Sequence, residues 1–240
     1  MKRLMESKNI KEEERFLLNI INKNVTVLLR LINQIMDFRK FENGKLEMHL
    51  SEFNIMDCMK EWAEAFRTLS YRKHITFRFN AEEGDYNIIA DAEMMERITY
   101  NLLSNAFKFT PENGCISICL RRGSDNKITM KFTDTGAGMP AEHVKHIFES
   151  FYQIDVHHAG SGIGLALVKA FVEMHHGEIN VESTEGSGTV FTICIPVKQD
   201  GTVTGSVDRK ALLNNLKEGA VVMADQESLK ADNNLSLIHI

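Results

Sequence analysis

The chain has 240 residues, a formal net charge of −5, 43% hydrophobic and 25% charged residues, which is ordinary for a globular domain with appendages. The acidic balance argues against a general nucleic-acid binder, whose footprint would be basic. No apolar run approaches the roughly 20 residues that span a bilayer, and "MKRLMESKNIKEEE" has no apolar stretch after its basic residues, so a soluble chain without a signal peptide is expected.

In chain order, residues 11–41 read as one long helix. Leu17, Ile21, Val25, Leu28, Ile32 and Ile35 recur at steps of four and three, a coiled-coil-like seam that calls for a partner helix. Gly44 in "ENGKL" supplies the stop. A strand is expected over 45–50, a helix over 55–70, a strand over 75–79, and a helix over 92–108 with Asp91 as its N-cap. Strands follow at 115–120 and 127–133, a helix at 164–175 ending at His176–Gly177, and strands at 178–183 and 189–196 joined by a turn at Gly186 and Gly188. Strands paired through short turns, with helices to one side, predict an α+β fold: a mainly antiparallel, mixed sheet under one helical layer. Beyond residue 198 the periodicity lapses. "ALLNNLKEGAVVMA" could form a short helix, and the rest reads as linker or disordered tail. The last six residues, "LSLIHI", match a translated transposon end used in sequencing-library preparation, so the natural chain is expected to continue differently.

Cys58, Cys115, Cys119 and Cys194 have no zinc spacing. Cys115 and Cys119 fall roughly 13 Å apart on one strand face at about 3.3 Å per residue, too far for a disulfide. A reducing compartment fits. The pairs His157–His158 and His175–His176 point their side chains apart, which disfavours a joint metal site, and His49 and His74 read as structural residues at strand positions.

Three motifs carry chemistry. In "NLLSNAFKF", Asn101, Asn105 and Lys108 line one helical stripe, while Met94, Ile98, Leu102 and Ala106 line another suited to a sheet. Asparagine is a mediocre helix former, and a solvated face would use Glu or Lys. Amide oxygens in line with an ammonium suit a site for Mg²⁺ and phosphate. In "KITMKFTDTGAGMP", an alternating strand ends in the carboxylate of Asp134, followed by Gly136 and Gly138, so that bare backbone faces something flat and hydrogen-bonding. In "AGSGIGLAL", Gly160, Gly162 and Gly164 run into a helix that begins with Leu165, an arrangement that lets backbone N–H groups and a helix N-terminus meet phosphate. No strand leads directly into these glycines, which sets aside a Rossmann motif.

The order of these motifs, with "IFESFYQ" and "EGSGTVFTICIP" between and after the glycine sets, resembles the ATP-binding domain of bacterial sensor histidine kinases, within the wider family of gyrase, heat-shock-chaperone and mismatch-repair ATPases. The resemblance covers about residues 11–197 and implies the two-layer Bergerat-type fold. It further implies that Asp134 accepts a hydrogen bond from the adenine amine, with Gly136 and Gly138 leaving room and Thr189 assisting. Asn105 would be the Mg²⁺ ligand supported by Asn101. Lys108 and the backbone at Gly160, Gly162, Gly164 and Leu165 would hold phosphates, and Phe148 and Phe151 would anchor the short lid "QIDVHHA". Gln153 stands where many relatives have an arginine. Position 101 holds asparagine where gyrase-like relatives have a glutamate base, which disfavours water activation and favours phosphoryl transfer to another acceptor.

The resemblance also divides the chain. Residues 1–46 match the second half of a dimerisation and phosphotransfer hairpin, residues 47–197 the catalytic domain, and residues 198–240 a linker. "QIMDFRKFENGKL" resembles hybrid two-component sensors. No histidine precedes His49 and no proline precedes Pro111, so the acceptor box is expected on a helix missing from this chain. The implied partners are a second copy through the N-terminal helix, the acceptor-histidine helix, and a receiver domain or response regulator in a phosphorelay. The implied location is the cytoplasmic part of an inner-membrane sensor. Two other readings stand beside this one: an ATP-hydrolysing conformational clamp, and a non-catalytic nucleotide-binding scaffold.

Overall fold

The computed structural model describes residues 12–154, 161–203, 205 and 207–236. The first helix, α1 (Glu12–Glu42), runs the length expected and ends at Gly44, whose φ of +63° and close backbone hydrogen bonds (Gly44 N–H to Phe41 O, 2.9 Å; Lys45 N–H to Lys40 O, 2.8 Å) make a left-handed stop. Its seam residues Leu17, Ile21, Val25, Leu28, Ile32 and Ile35 are exposed.

The expected strand over 45–50 is displaced. Residues 45–49 form no strand, and β1 is Leu50–Asn54, paired antiparallel with β3, Asn87–Asp91, a strand absent from the sequence reading. The carboxylate of Asp91 accepts the His49 N–H at 2.7 Å, which holds the incoming segment at the start of the helix that Asp91 caps, Ala92–Phe109, before pairing begins at Leu50. The expected helix over 55–70 divides at Phe66 into α2 (Ile55–Ala65) and α3 (Arg67–Arg72). His49 and His74 lie just before strands rather than in them, and His74 has a φ of +51°.

The main sheet is mixed, in the order β2 (Thr76–Ala81), β4 (Cys115–Arg122), β5 (Lys127–Asp134), β7 (Gly188–Pro196), β6 (Glu178–Thr184), with only the β2–β4 pair parallel. The antiparallel pairs β4–β5 and β6–β7 are hairpins with short turns, and β5 and β7 are brought together by the longer excursion through the lid and the helix Gly164–Met174. The parallel pair needs the long crossover that includes α4, Ala92–Phe109. Ile116, Ile118, Ile128, Met130, Phe132, Phe191, Ile193 and Ile195 bury one face against Trp62 and Phe66 beneath α2 and α3, Ile98 and Leu102 of α4, and Val168 and Phe171 of α6 (Gly164–Met174). Cys115, Cys119 and Cys194 lie half-buried and free. A short α5 (Ala141–Val144) precedes the lid segment.

His175 is fully buried where α6 meets β3. Its Nδ1–H donates to the Phe171 carbonyl (2.7 Å), so Nε2 is the acceptor for the Asp91 N–H (3.0 Å). Burial lowers its pKa, as expected for an imidazole held neutral by one donor and one acceptor.

The tail departs most from expectation. The short helix offered for "ALLNNLKEGAVVMA" is part of a longer one that replaces the expected linker after it: Arg209–Ser236 forms α7, and Leu212, Leu216 and Ala220, four residues apart, are buried against α2, α3, α4 and α1. Small residues in "EGAVVMA" allow the close approach: a side chain at Gly219 would begin 2.2 Å from the Arg30 guanidinium. The Arg209 guanidinium meets Glu61 at 2.9 Å. Among the described residues no helix is long and apolar enough to cross a membrane.

Candidate nucleotide site

α4 is the spine of the site. Asp91 caps it, accepting the N–H groups of Glu93 and Met94 at 3.0 Å, as the sequence predicted. Met94, Ile98, Leu102 and Ala106 are buried, and Thr99 packs its hydroxyl against the Met59 sulfur at 3.2 Å on another side. The stripe of Asn101, Asn105 and Lys108 does not face bulk water either: Asn101 is 8% exposed, and the other two are half-buried.

Asn101 is fixed in orientation. Its Nδ2 donates to the Arg97 carbonyl one turn back, at 2.9 Å, so Oδ1 is the group it presents. A Cβ at Gly164, the first residue of α6, would stand 3.0 Å from that oxygen, which brings the glycine stretch directly against the asparagine. Asn105, one turn on, makes no side-chain hydrogen bond among the described residues. The Lys108 ammonium lies 4.8 Å from the centre of the Phe109 ring.

The other end of α4 meets the strand-end acid. The Phe109 carbonyl accepts the Ala137 N–H at 3.2 Å, tying the loop after β5 to the helix terminus. Asp134 pairs in register with Thr189 of β7 and accepts the Gly136 N–H on Oδ1 at 2.8 Å. Burial pushes its carboxyl above the ordinary value, partly offset by the N–H groups of Gly136 and Thr189. Among the described residues, the donors that serve this half-buried acid are neutral backbone N–H groups. Thr189 is buried, its hydroxyl 3.0 Å from that of Ser183.

Two glycines show how closely the backbone segments around the site approach one another. Gly138 has a φ of +64°, and a Cβ there would fall 1.9 Å from the Thr184 carbonyl oxygen, because the loop is wedged against the β6–β7 hairpin. Gly162 has a φ of +69°, its carbonyl accepts the Phe151 N–H at 2.9 Å, and a Cβ would lie 2.7 Å from the Phe151 backbone. The glycine stretch and the aromatic motif are thus joined backbone to backbone. Gly160 and the lid residues 155–160 lie outside the described residues.

Phe148 packs edge-on against Phe191 at 6.4 Å and Leu165 packs on the core. Phe151 is different: it is 64% exposed with a φ of +65°, and its ring meets Phe38 of α1 at 5.9 Å rather than the core that the anchoring role implied. The predicted residues therefore assemble in two groups. Asn101 meets Gly164 at one end; Asp134, Gly136, Gly138 and Thr189 gather at the other. Residues 101 to 109 separate them by about 12 Å at about 1.5 Å per residue.

The sequence reading missed Gln34 and Ser161. Gln34 Nε2 donates to Asn101 Oδ1 at 3.2 Å, and the Ser161 hydroxyl donates to Gln34 Oε1 at 3.2 Å. The available signal was Gln34, Asp37 and Phe38 at spacings of three and four on the side of α1 away from the seam.

The chemistry of this donor set fits a purine nucleotide with a hard divalent cation. A half-buried carboxylate suits an exocyclic amine, amide oxygens such as that of Asn105 suit Mg²⁺, and glycine backbone opening α6 suits phosphate. Residues 90–199 match the family described as "Histidine kinase-, DNA gyrase B-, and HSP90-like ATPase". Over 186 residues the chain is 36% identical to histidine kinase P4 of Formosa agariphila, covering 74% of this chain and 13% of that protein. It is 35% identical over 201 residues to the circadian input-output histidine kinase CikA of Thermosynechococcus vestitus, covering 78% and 26%. The chain thus spans about a quarter or less of these relatives. Among solved structures, the catalytic domain of histidine kinase ThkA superposes with a TM-score of 0.58 at 28% identity, covering 63% of this chain and 100% of that one. Full-length ShkA in complex with AMPPNP gives a TM-score of 0.71 at 25% identity, covering 84% and 42%.

Proposed function

Since residues 90–199 belong to the histidine kinase-, DNA gyrase B- and HSP90-like ATPase family and form an ATP-binding domain of the sensor histidine kinase kind, we propose that this chain binds Mg²⁺·ATP and presents the γ-phosphoryl group to a histidine on an acceptor helix outside it. The P–O bond to the β-phosphate breaks as the N–P bond to imidazole forms, and ADP leaves with the bridging oxygen. The observation that carries the reading is the pairing of Asp134 at one end of α4 with Asn101 against Gly164 at the other, a length and polarity suited to a base at one end and phosphates at the other.

Each residue then has a bounded task. Asp134 selects adenine, because guanine offers a carbonyl where adenine offers an amine, and two acceptors repel. Gly138 and Gly162 let backbone approach where a side chain cannot fit. Asn105 would hold Mg²⁺, which supplies charge neutralisation when bound. Lys108 and the start of α6 at Gly164 and Leu165 would face phosphate. Asn101, its Nδ2 committed to the Arg97 carbonyl, has no group able to take a proton from water. Catalysis here rests on positioning and charge rather than on a covalent protein intermediate.

The remaining assignments follow the same reading. The exposed seam of α1 suits a second copy, in a division of the chain into a dimerisation helix over 1–46, a catalytic domain over 47–197 and a C-terminal segment over 198–240. The phosphoryl group would pass on to a receiver domain or response regulator, with the chain on the cytoplasmic side of a sensor. Incubating the chain with a separate acceptor-helix hairpin and γ-labelled ATP should give acid-labile, base-stable label on the hairpin. Nucleotide binding with no label transferred to any acceptor would favour the scaffold, and rapid phosphate release would favour the clamp.

A further inference from the structure

α1 has two opposed faces. Its apolar seam is exposed, with Leu28 at 61% and Ile32 and Ile35 at 45%. The opposite stripe, Arg30, Gln34, Asp37 and Phe38, at offsets of four, seven and eight, occupies one helical face, and every member touches the nucleotide-binding domain. The Arg30 guanidinium sits 3.7 Å over the Tyr100 ring and donates to the Asn215 carbonyl of α7 at 3.0 Å. Asp37 is buried in an ion pair with Arg97. Phe38 meets the Phe151 ring.

Gln34 is the member that enters the site. Its amide N–H group engages Asn101 Oδ1, the acceptor of a side chain whose Nδ2 is bonded to the Arg97 carbonyl. Its Oε1 accepts from Ser161, between the α1 face and the glycine stretch that opens α6. The same oxygen of Asn101 lies beside Gly164. One side chain therefore spans both walls of the phosphate end of the proposed site. Both bonds are neutral and long, the class most readily exchanged for ionic contacts.

We infer that Gln34 is a latch on the triphosphate end of the nucleotide site: α1 docked in this position competes with Mg²⁺·ATP for Asn101 Oδ1 and Ser161. The inference rests on the nucleotide reading above. Its thermodynamic consequence is reciprocal. Nucleotide binding loosens α1 from the domain, and undocking of α1 raises nucleotide affinity by the same factor. The seam and the latch share one rigid helix, so what happens at the seam is felt at Asn101.

The test is titration of the whole chain with Mg²⁺·ATP, comparing wild type with Gln34→Leu and Phe38→Ala. Leucine keeps the bulk and helix propensity of position 34 while removing both hydrogen bonds, and Phe38→Ala loosens the docked face without touching Asn101. Tighter binding, about three- to twentyfold for Gln34→Leu and a smaller gain in the same direction for Phe38→Ala, is expected. Saturating Mg²⁺·ATP should also raise amide exchange across residues 30–38 of the wild type. Equal affinity in all three proteins, or weaker binding in Gln34→Leu, overturns the latch while leaving the nucleotide site standing. No binding in any of the three overturns both.

Discussion

Replacing Asp134 by asparagine isolates the base-recognition argument, because the substitution changes one atom and keeps the shape. In the wild type, Oδ1 accepts the Gly136 N–H at 2.8 Å. Asparagine can keep that bond with its own Oδ1, which turns Nδ2 toward the base. An adenine amine then meets a donor instead of an acceptor. The loss is that of a charge-assisted hydrogen bond, about 1.5–3 kcal/mol, so ATP should bind about 10- to 150-fold more weakly at 1.4 kcal/mol per tenfold. GTP, which offers a carbonyl at that position, should lose little or gain, and the preference for ATP should shrink from both sides.

Calorimetric titration with the Mg²⁺ complexes of both nucleotides measures this directly, and a thermal melt supplies the control. Burial raises the Asp134 carboxyl above the ordinary carboxylate value, so in the free protein the ionised form is held at a cost. Removing the charge should leave the melting temperature unchanged or slightly higher. By the same sign, ATP affinity of the wild type should fall as pH drops through that raised value, since the protonated acid no longer accepts freely, and the variant should lack this dependence. An ATP dissociation constant within twofold of wild type, in a variant that melts normally, would refute the assignment of Asp134 to the base.

Asn105→Ala should remove most of the magnesium dependence of ATP binding, read by titration with and without chelator; undiminished dependence would move the cation to another ligand. His175→Phe leaves the Asp91 N–H without its acceptor, while the Phe171 carbonyl keeps only the backbone N–H of residue 175, and should cost about 1–3 kcal/mol in urea unfolding. Because the folded pKa of His175 lies below its ordinary 6.5, wild-type stability from this group is full above about pH 6.5 and is lost as pH falls below it, a slope the variant should lack. Glu96, buried beside Arg30, is raised to about 7, so its ionisation destabilises the fold above that pH. Glu96→Gln should therefore raise stability by about 1–3 kcal/mol at pH 8, with the gain fading below pH 5; a loss at pH 8 would show that the pair with Arg30 outweighs burial.

Much of the site was legible because its demands are local. Gly138 and Gly162 are glycines for reasons of backbone geometry that leave a trace in sequence, as does a carboxylate closing an alternating strand. Asn101 and Asn105 stood out because a solvated helix would not choose them. What stayed hidden depends on contacts between distant segments. The strand β3 is five residues long and draws its identity from pairing with β1, and the sequence reading places no element there. The sequence places strand β1 five residues early because Lys45–Leu50 alternates apolar and polar residues and Leu50–Asn54 does not. The observed strand is set by its pairing with β3, with His49 already bonded to Asp91. The tail helix α7 has no apolar face continuous enough to announce itself; it is held by a groove that other helices make. Phe151, given with Phe148 a lid-anchoring role by the resemblance, meets the ring of Phe38, 113 positions away.

The two faces of α1 explain why sequence alone captured only half of its role. A seam announces itself by repetition, since a partner helix must be met again and again along its length. A docking stripe needs no repetition: Arg30, Gln34, Asp37 and Phe38 each satisfy a different group by a different interaction, namely a ring face, an amide oxygen, a guanidinium and an aromatic edge. Such heterogeneity also limits the strength of the contact. The two bonds of Gln34 are replaceable by water or phosphate at little cost. A helix that must hold the domain in one state and release it in another is better served by this assortment than by a second seam, because each contact can be broken separately while the helix itself stays rigid.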